Sequence, residues 1–187
     1  TLMGGSNDGF LAKLDNNGVR VWGTYYGGAG DDFVYACAIS GTNAIFMSGR
    51  TTSTNNISTV GSHQAAFAGG GNDAFLVKFD ANGIRQWGTY FGGATGQEYG
   101  LNCKADAAGN SYLTGYTSST VGLGTAGTHQ PGFGGGVTDA FIVKFNSSGV
   151  RQWSSNYGGA GDDYGNGCSV DGSGNVYMIG TTSSSVG

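Results

Sequence analysis

The chain has 187 residues, of which 39 are glycine and one is proline, and only 11% are charged. Its eight basic residues are scattered singly against 12 acidic ones, for a formal net charge of −4, so binding to nucleic acid or to an anionic membrane is a poor candidate function. Glycine does not recur at every third position, which excludes collagen, and no apolar run approaches the roughly 20 residues of a membrane-spanning helix.

The chain repeats itself with a period of 65 to 66 residues. Trp22, Trp87 and Trp153 are 65 and 66 residues apart, and three cysteines keep the same step. Whole phrases recur with them: DGFLAKLDNNGVRVWGTYYGG at 8–28, DAFLVKFDANGIRQWGTYFGG at 73–93 and DAFIVKFNSSGVRQWSSNYGG at 139–159. Self-similarity at a fixed period is the sequence signature of a repeat architecture.

Each unit predicts four short strands. In the second unit the predicted strands are 74–79, 84–91, 99–105 and 111–117. The phrase Asp80-Ala81-Asn82-Gly83 predicts the turn between the first two, because an Asx side chain bonds the local backbone and glycine supplies a positive φ. No segment has an apolar stripe at helical spacing, so the sequence predicts an all-β fold.

Four-stranded units in series predict a β-propeller with blades of four antiparallel strands. Solenoid repeats are usually shorter, at about 20–45 residues. The second unit, which reads DAFLVKFDANGIRQWGTYFGG…YGLNCKADAAGNSYLTGYTSS, resembles the SBBP repeat, a bacterial β-propeller repeat whose pattern is similar to DAFVAKL, STYLGGSGDD and DASGNAYVTGYT. All three units show the resemblance. It implies the fold and an extracellular or bacterial cell-surface location, and it carries no catalytic residues.

The phrase at 99–117 is also similar to the two inner strands of propeller blades, which assigns the hairpin at 74–91 to the outer strands. The chain then divides into four parts: an outer half-blade at 1–32, blades at 33–91 and 99–157, and an inner half-blade at 164–187. About three blades are too few for a ring, since propellers close with about four to eight. We therefore expect completion by a longer chain or by copies of this chain, as a two-fold ring or as a filament.

An acidic glycine turn suggests one ion site. The phrase GGAGDD at 27–32 recurs at 158–163 and fits the GGxGxD pattern of calcium β-rolls. Calcium prefers carboxylate and carbonyl oxygens, which makes calcium candidates of Asp31, Asp32, Asp162 and Asp163. However, the middle unit reads GGATGQE, and β-rolls stack the motif about every nine residues. A simple acidic turn between blades is the alternative interpretation, and no other cofactor is expected.

The three tryptophans each follow an Asx–Gly turn. The spacing, D-x-x-G-x-x-x-W or its asparagine variant, is similar to the tryptophan-docking phrase of quinoprotein propellers. We therefore interpret Trp22, Trp87 and Trp153 as packing between blades. The functional alternative is that their indole faces stack on sugar rings.

Cysteines and histidines offer weaker signals. Cys37, Cys103 and Cys168 share one position of the repeat and are predicted to be small buried side chains, too far apart around a ring for a disulfide. His63 and His129 each precede a glutamine, and no motif supplies the further ligands or the nucleophile of a zinc or catalytic site. We interpret each His-Gln pair as tying a connector to its own blade.

The polar groups repeat, whereas an active site needs different groups in different roles at one place. The sequence therefore predicts a protein that is not an enzyme and has no catalytic residues. A structural or adhesive module is favoured: a spacer, a surface layer or a filament subunit made of oligomerising copies. The alternative is a multivalent lectin with one shallow carbohydrate site per blade.

Overall fold

The computed structural model describes residues 3–121 and 123–185, and within these residues the predicted all-β fold is confirmed. Residues 1–2 of the expected outer half-blade and residues 186–187 of the expected inner half-blade lie outside the described residues. In the described part of the chain, no helix is long and apolar enough to cross a membrane. The strands are β1 (Gly9–Leu14), β2 (Arg20–Tyr26), β3 (Asp32–Ile39), β4 (Ile45–Thr51), β5 (Asp73–Phe79), β6 (Arg85–Phe91), β7 (Glu98–Ala105), β8 (Ser111–Thr117), β9 (Asp139–Phe145), β10 (Arg151–Tyr157), β11 (Asp163–Val170) and β12 (Val176–Thr182).

The strands form antiparallel sheets of two sizes. Strands β3 to β6 make one four-stranded sheet in chain order, and β7 to β10 make a second. The pairs β1–β2 and β11–β12 make two-stranded sheets. Strand β7 packs against β3 and β4, and β11 packs against β7 and β8. The sheets therefore stack like propeller blades, with β3, β7 and β11 as neighbouring inner strands.

Local sequence explains the outer hairpins. Asp80 Oδ1 accepts hydrogen bonds from the backbone N–H groups of Asn82 at 2.9 Å and Ile84 at 3.0 Å, and Gly83 has a φ of 79°. Asp15 and Asn146 accept the equivalent pairs of bonds in their own turns. Aspartate and asparagine exchange freely here, because the turn uses only one side-chain oxygen as an acceptor.

The core lies between the two four-stranded sheets. Phe91 of the first sheet packs on Phe141 and Phe145 of the second, with ring centroids 5.0 and 6.4 Å away. Strands β5 and β9 are buried along nearly their whole length. Burial of both faces explains why their sequences are continuous apolar runs rather than alternating patterns.

Each inner strand carries a bulge opposite a glycine. The register of β7 on β8 shifts between Tyr99 and Asn102, and the Tyr99 carbonyl is turned onto the Cα of Gly115 so closely that a Cβ there would overlap its oxygen. Phe33 and Gly49 make the same contact in the preceding sheet. Glycine is required at this position by the close approach of the two backbones.

The long connectors run beside the outermost strands. Thr59 donates its N–H to the carbonyl of Gly88 at 2.9 Å, and Tyr90 donates its N–H to that of Gln64 at 3.2 Å. The connector before β9 bonds β10 in the same way, through Thr125 and Gln130. These segments cover edges that would otherwise present unpaired backbone groups to other chains.

Candidate functional site

Three carboxylates lie at the start of the inner strands, and we call them the inner carboxylates. Each holds the turn that leads from one sheet to the next. They are Asp32, Glu98 and Asp163. Asp32 Oδ2 accepts hydrogen bonds from Gly28 N–H and Ser53 Oγ–H, both at 2.8 Å, while Oδ1 accepts one from the Thr51 hydroxyl. Each inner carboxylate thus ties a Gly-Gly turn to the end of the neighbouring strand. Because charge-assisted hydrogen bonds are strong, this clamp fixes the path from one sheet to the next.

The second unit keeps the clamp in spite of its extra residue. Glu98 accepts hydrogen bonds from Gly93 N–H at 3.0 Å and Thr117 Oγ–H at 2.6 Å, matching Asp32. Burial raises the pKa of the Glu98 carboxyl, against the opposing effect of these donors. The sequence GGATGQE hides this equivalence, but Glu98 pairs with Thr117 at the register position at which Asp32 pairs with Thr51, so the inserted residue lies in the turn.

The four calcium candidates are divided between two turns, and each accepts hydrogen bonds from the protein through at least one carboxylate oxygen. Asp31 Oδ1 accepts backbone N–H bonds from Ser6 at 2.8 Å and Asn7 at 3.1 Å, and the first of these contributes most to lowering its pKa. Asp162 Oδ1 accepts an N–H bond at 2.8 Å, and Asp163 Oδ2 accepts bonds from Gly159 and Ser184 at 2.9 and 2.7 Å. Among residues 3–121 and 123–185, no three His, Cys, Asp or Glu side chains converge as a metal site.

A second set of aspartates, the outer carboxylates, was missed by the sequence reasoning. They are Asp8, Asp73 and Asp139, each placed directly before the apolar run of an outer strand. A Cβ built on Gly158 would lie 2.6 Å from Asp139 Oδ1 and 2.7 Å from Asp163 Oδ2, so an outer and an inner carboxylate flank one glycine. Asp8 and Asp32 flank Gly27 in the same way.

Each outer carboxylate has one satisfied and one unsatisfied oxygen. Asp73 Oδ2 accepts bonds from Gln64 Nε2–H at 2.9 Å and Ala68 N–H at 2.7 Å, while Oδ1 is buried without a partner. Burial raises the pKa of Asp73 to about 7, and the nearby charge of Glu98 adds to the shift. The pair can hold a proton near neutral pH. Both side chains are fully buried, which denies a substrate access to them.

The histidine-glutamine pairs act through the glutamines. Gln64 donates to Asp73 and also accepts the Gly92 N–H at 3.0 Å through Oε1, and Gln130 makes the same two contacts in the next unit. His63 packs between Phe91 and Phe145, and burial, together with the charge of Arg151, lowers its pKa to about 4. It is therefore a neutral packing residue at pH 7.

Trp22 and Trp87 lie beneath the turns of the following blades. A Cβ on Gly83 would be 2.9 Å from the Trp22 ring, and one on Gly149 would be 2.8 Å from the Trp87 ring. Trp87 is only 8% exposed and donates its Nε1–H to the Ser147 carbonyl at 3.1 Å. Sugar stacking is therefore wrong for Trp87, because its faces are covered. Trp153 packs against the cluster around Tyr112, and in the described part of the chain no turn glycine lies over it.

The cysteines are inner-strand residues, and all three are free thiols. Cys103 and Cys168 are buried as expected, but Cys37 is exposed. The expectation of burial fails at Cys37 because its equivalents pack against the preceding sheet: Cys103 Sγ lies 3.9 Å from the Phe46 carbonyl oxygen, and the described strands before β3 supply no such neighbour.

We expect Cys103 and Cys168 to resist a maleimide in the native chain and to react fully in urea. Burial removes them from the reagent and raises the pKa of the two thiols to about 12 and about 11, which suppresses the reactive thiolate. Mass spectrometry of labelled peptides measures this. Rapid native labelling of either residue would contradict their placement in the core.

A row of aromatic side chains follows the inner strands. The rings of Tyr35 and Tyr99 stack with centroids 6.5 Å apart, those of Tyr99 and Tyr116 with centroids 4.6 Å apart, and Tyr164 meets Tyr116 edge-on at 5.1 Å. The Arg50 guanidinium lies 4.9 Å from the Tyr99 ring centre and donates Nε–H to the Tyr35 hydroxyl at 2.8 Å. Tyr35 is 43% exposed. We call these four rings the tyrosine row.

Comparison with known proteins gives one match. Residues 152–186 match the SBBP family model, described as a beta-propeller repeat, and this segment contains β11 and β12. A search of curated proteins finds none that matches the chain. The matched repeat and the all-β fold together support a propeller-type repeat module.

Proposed function

We propose that this chain is a non-catalytic β-propeller repeat module with a structural or adhesive role outside the bacterial cell, as a spacer, surface layer or filament subunit. One observation carries the proposal: the acidic groups recur at equivalent positions, and their hydrogen bonds go to the chain's own turns. Membership of all three units in the matched repeat family is part of the proposal, supported by their common phrases.

The repeated carboxylate pairs support a structural role over a catalytic one. A general acid and base must reach a substrate atom, whereas Asp73 and Glu98 are fully buried on either side of Gly92. Repetition of the same pair in every unit is what a common packing requirement produces. The proposed role needs no cofactor.

Cellular location tests the proposed role. Antibodies raised against the chain should label intact cells of the source organism as strongly as permeabilised ones. Labelling that appears only after permeabilisation would overturn an extracellular role.

Thermal unfolding in the presence of calcium and in EDTA tests whether the candidate aspartates bind calcium. We expect the same midpoint in both, because each candidate aspartate already accepts N–H or O–H groups, and in the described residues no three His, Cys, Asp or Glu side chains converge. A higher midpoint in calcium that disappears in an Asp31→Asn, Asp162→Asn double variant would assign an ion to these turns.

Glycan binding is the second candidate function, and the tyrosine row favours it. Exposed aromatic faces offer large apolar contact area with polar tips, and Tyr35 presents such a face next to Arg50. If the row binds sugars, Tyr35→Ala should lower the affinity for a glycan identified on an array by at least about tenfold. Tyr35→Phe keeps the ring and should retain most of the binding. Equal loss in both variants, or no array signal, would remove this candidate.

A further inference from the structure

Two departures from the repeat meet at the junction between the two four-stranded sheets. They are Arg50 of β4 and Gln97, the residue directly before β7. At the next junction, between the second sheet and β11, the equivalent residues are Tyr116 and Asp162. Asn72 connects the pair, since its Oδ1 accepts Nη1–H of Arg50 at 2.7 Å and its Nδ2–H is donated to Gln97 Oε1 at 3.1 Å. Both departures make this junction more positive than the next, because one adds a cation and the other removes an acid.

The guanidinium of Arg50 is held in place by neutral groups. It donates Nε–H to the Tyr35 hydroxyl at 2.8 Å and Nη1–H to Asn72 Oδ1 at 2.7 Å. Its Cζ lies over the rings of Phe33 and Tyr99, 4.4 and 4.9 Å from their centres. In the described part of the chain the guanidinium donates to no carboxylate, and Nη2 has no acceptor. The cation is therefore fixed in position with one edge free.

Asp31 feels the charge of Arg50 only weakly. Its Oδ1 accepts the backbone N–H bonds of Ser6 and Asn7. The bond from Ser6 contributes most to lowering the pKa of Asp31, and of the groups that lower this pKa Arg50 contributes least. The positive charge of Arg50 is thus not taken up by a bonded acid.

The free edge of this guanidinium suits an oxyanion. Arginine presents a planar fork of N–H donors that matches a carboxylate or a comparable acidic group. Because the Arg50 side chain is half-buried between two rings, an anion bound there would interact with it more strongly than with an arginine surrounded by water. Tyr116 and Tyr164 continue the tyrosine row beside it, with ring centroids 5.1 Å apart, and offer apolar rings with hydroxyl tips. A ligand that carries both an acidic group and a sugar ring fits this surface.

We propose that Arg50 binds the acidic group, a carboxylate or a sulfate ester, of a glycan that lies along the tyrosine row. The inference rests on the glycan-binding candidate and names the class of its ligand. It places one acidic-group site in these 187 residues rather than one in every blade, because the equivalent positions hold the uncharged residues Tyr116 and Thr181.

Binding of oligogalacturonate and of its methyl ester tests the role of the ligand charge. The two probes share one sugar backbone, and esterification removes the carboxylate charge. We expect the ester to bind at least about tenfold more weakly in calorimetry, and added salt to weaken only the acid form. A sulfated galactan oligosaccharide is the third probe, and tight binding of this probe alone would assign a sulfate ester. The proposal is overturned if neither acidic probe binds, or if the ester binds as tightly as the tighter of them.

Two variants test the residues of the site. Arg50→Gln keeps an amide donor but removes the charge, whereas Gln97→Asp leaves Arg50 intact and restores the acid that Asp162 supplies at the next junction. Affinity for the acidic probe should fall at least about tenfold in Arg50→Gln and at least about threefold in Gln97→Asp. Wild-type affinity in either variant would overturn the proposal. Thermal unfolding shows whether each variant is folded, and Gln97→Asp alone decides if Arg50→Gln is not.

Lys104→Gln is the matched control for net charge. Lys104 is an exposed cation near the far end of β7 from Tyr99. Its loss changes the net charge as much as Arg50→Gln does, but it should leave the affinity within about twofold, because salt screens distant exposed charges. An equal loss of affinity in Lys104→Gln and Arg50→Gln would show a general effect of net charge and would overturn the proposed site.

Failure of this inference and failure of the glycan candidate give different results. If a neutral glycan from the array loses affinity in Tyr35→Ala yet keeps it in Arg50→Gln, the acidic-group inference is wrong and the glycan candidate stands. If the array gives no signal and none of the three probes binds, both are wrong. In each case the cell-surface test of the proposed structural role is unaffected.

Discussion

Gly115→Ala is expected to lower the free energy of unfolding by at least about 3 kcal/mol, the high end for a single overpacked site. The added Cβ would overlap the Tyr99 carbonyl oxygen and lie 2.8 Å from its carbon and 3.1 Å from the Leu101 nitrogen. These are backbone atoms of a bulge held by pairing on both sides of β8, so they cannot swing away as a flexible side chain would. Urea unfolding at fixed protein concentration measures the loss.

Alanine substitutions at two further glycines serve as comparisons for Gly115→Ala. Gly132→Ala should change stability by less than about 0.5 kcal/mol, because no atom lies within 4 Å of its Cβ position. Gly180→Ala repeats the clash, with the Tyr164 carbonyl, but in the two-stranded β11–β12 sheet. It should therefore cost less than Gly115→Ala. A Gly115→Ala variant as stable as Gly132→Ala would show that the bulge relaxes freely.

Features set by neighbouring residues were predictable from sequence, whereas features made by the fold were not. The Asp80–Gly83 turn is a local Asx arrangement, so its sequence identifies it directly. The tryptophan spacing predicts packing between blades, since the indoles of Trp22 and Trp87 each meet a glycine of the next repeating phrase. Both inferences need only the repeat and the chemistry of a few adjacent residues.

The outer carboxylates show what the sequence leaves open. Asp73 lies 25 residues before Glu98 in the chain, and only the stacking of the Gly92 turn between them makes them neighbours. Their pairing across this turn depends on the path of the connector, which brings Gln64 to Asp73. The exposure of Cys37 likewise depends on whether a sheet packs against the outer side of β3. This tertiary contact cannot be predicted from the position of Cys37 in the repeat.

Asp73→Asn is expected to stabilise the chain at pH 8 and to flatten the dependence of its stability on pH. The folded-state pKa of Asp73 is raised from 3.8 to about 7. Between these values the folded chain holds a proton that the unfolded chain releases, so stability falls as pH rises from about 4 to about 7. Each pKa unit corresponds to about 1.4 kcal/mol, and a loss on the order of a few kcal/mol is expected for the wild-type chain.

The asparagine variant should avoid this pH-dependent loss of stability, because its side chain has the same shape as aspartate and does not ionise. Its carbonyl oxygen can keep the bonds from Gln64 and Ala68, while its amide N–H₂ replaces the unpartnered Oδ1 and points a donor toward Glu98. Urea unfolding from pH 4 to pH 8 should show the variant gaining on the wild type above pH 6 by about 1–3 kcal/mol. Asp15→Asn is the matched control, because Asn146 already fills this turn position in the third unit; it should leave the pH profile unchanged. Equal destabilisation of the chain by Asp73→Asn at pH 4 and pH 8 would contradict the raised pKa, because the wild-type carboxyl would then carry the same charge at both pH values.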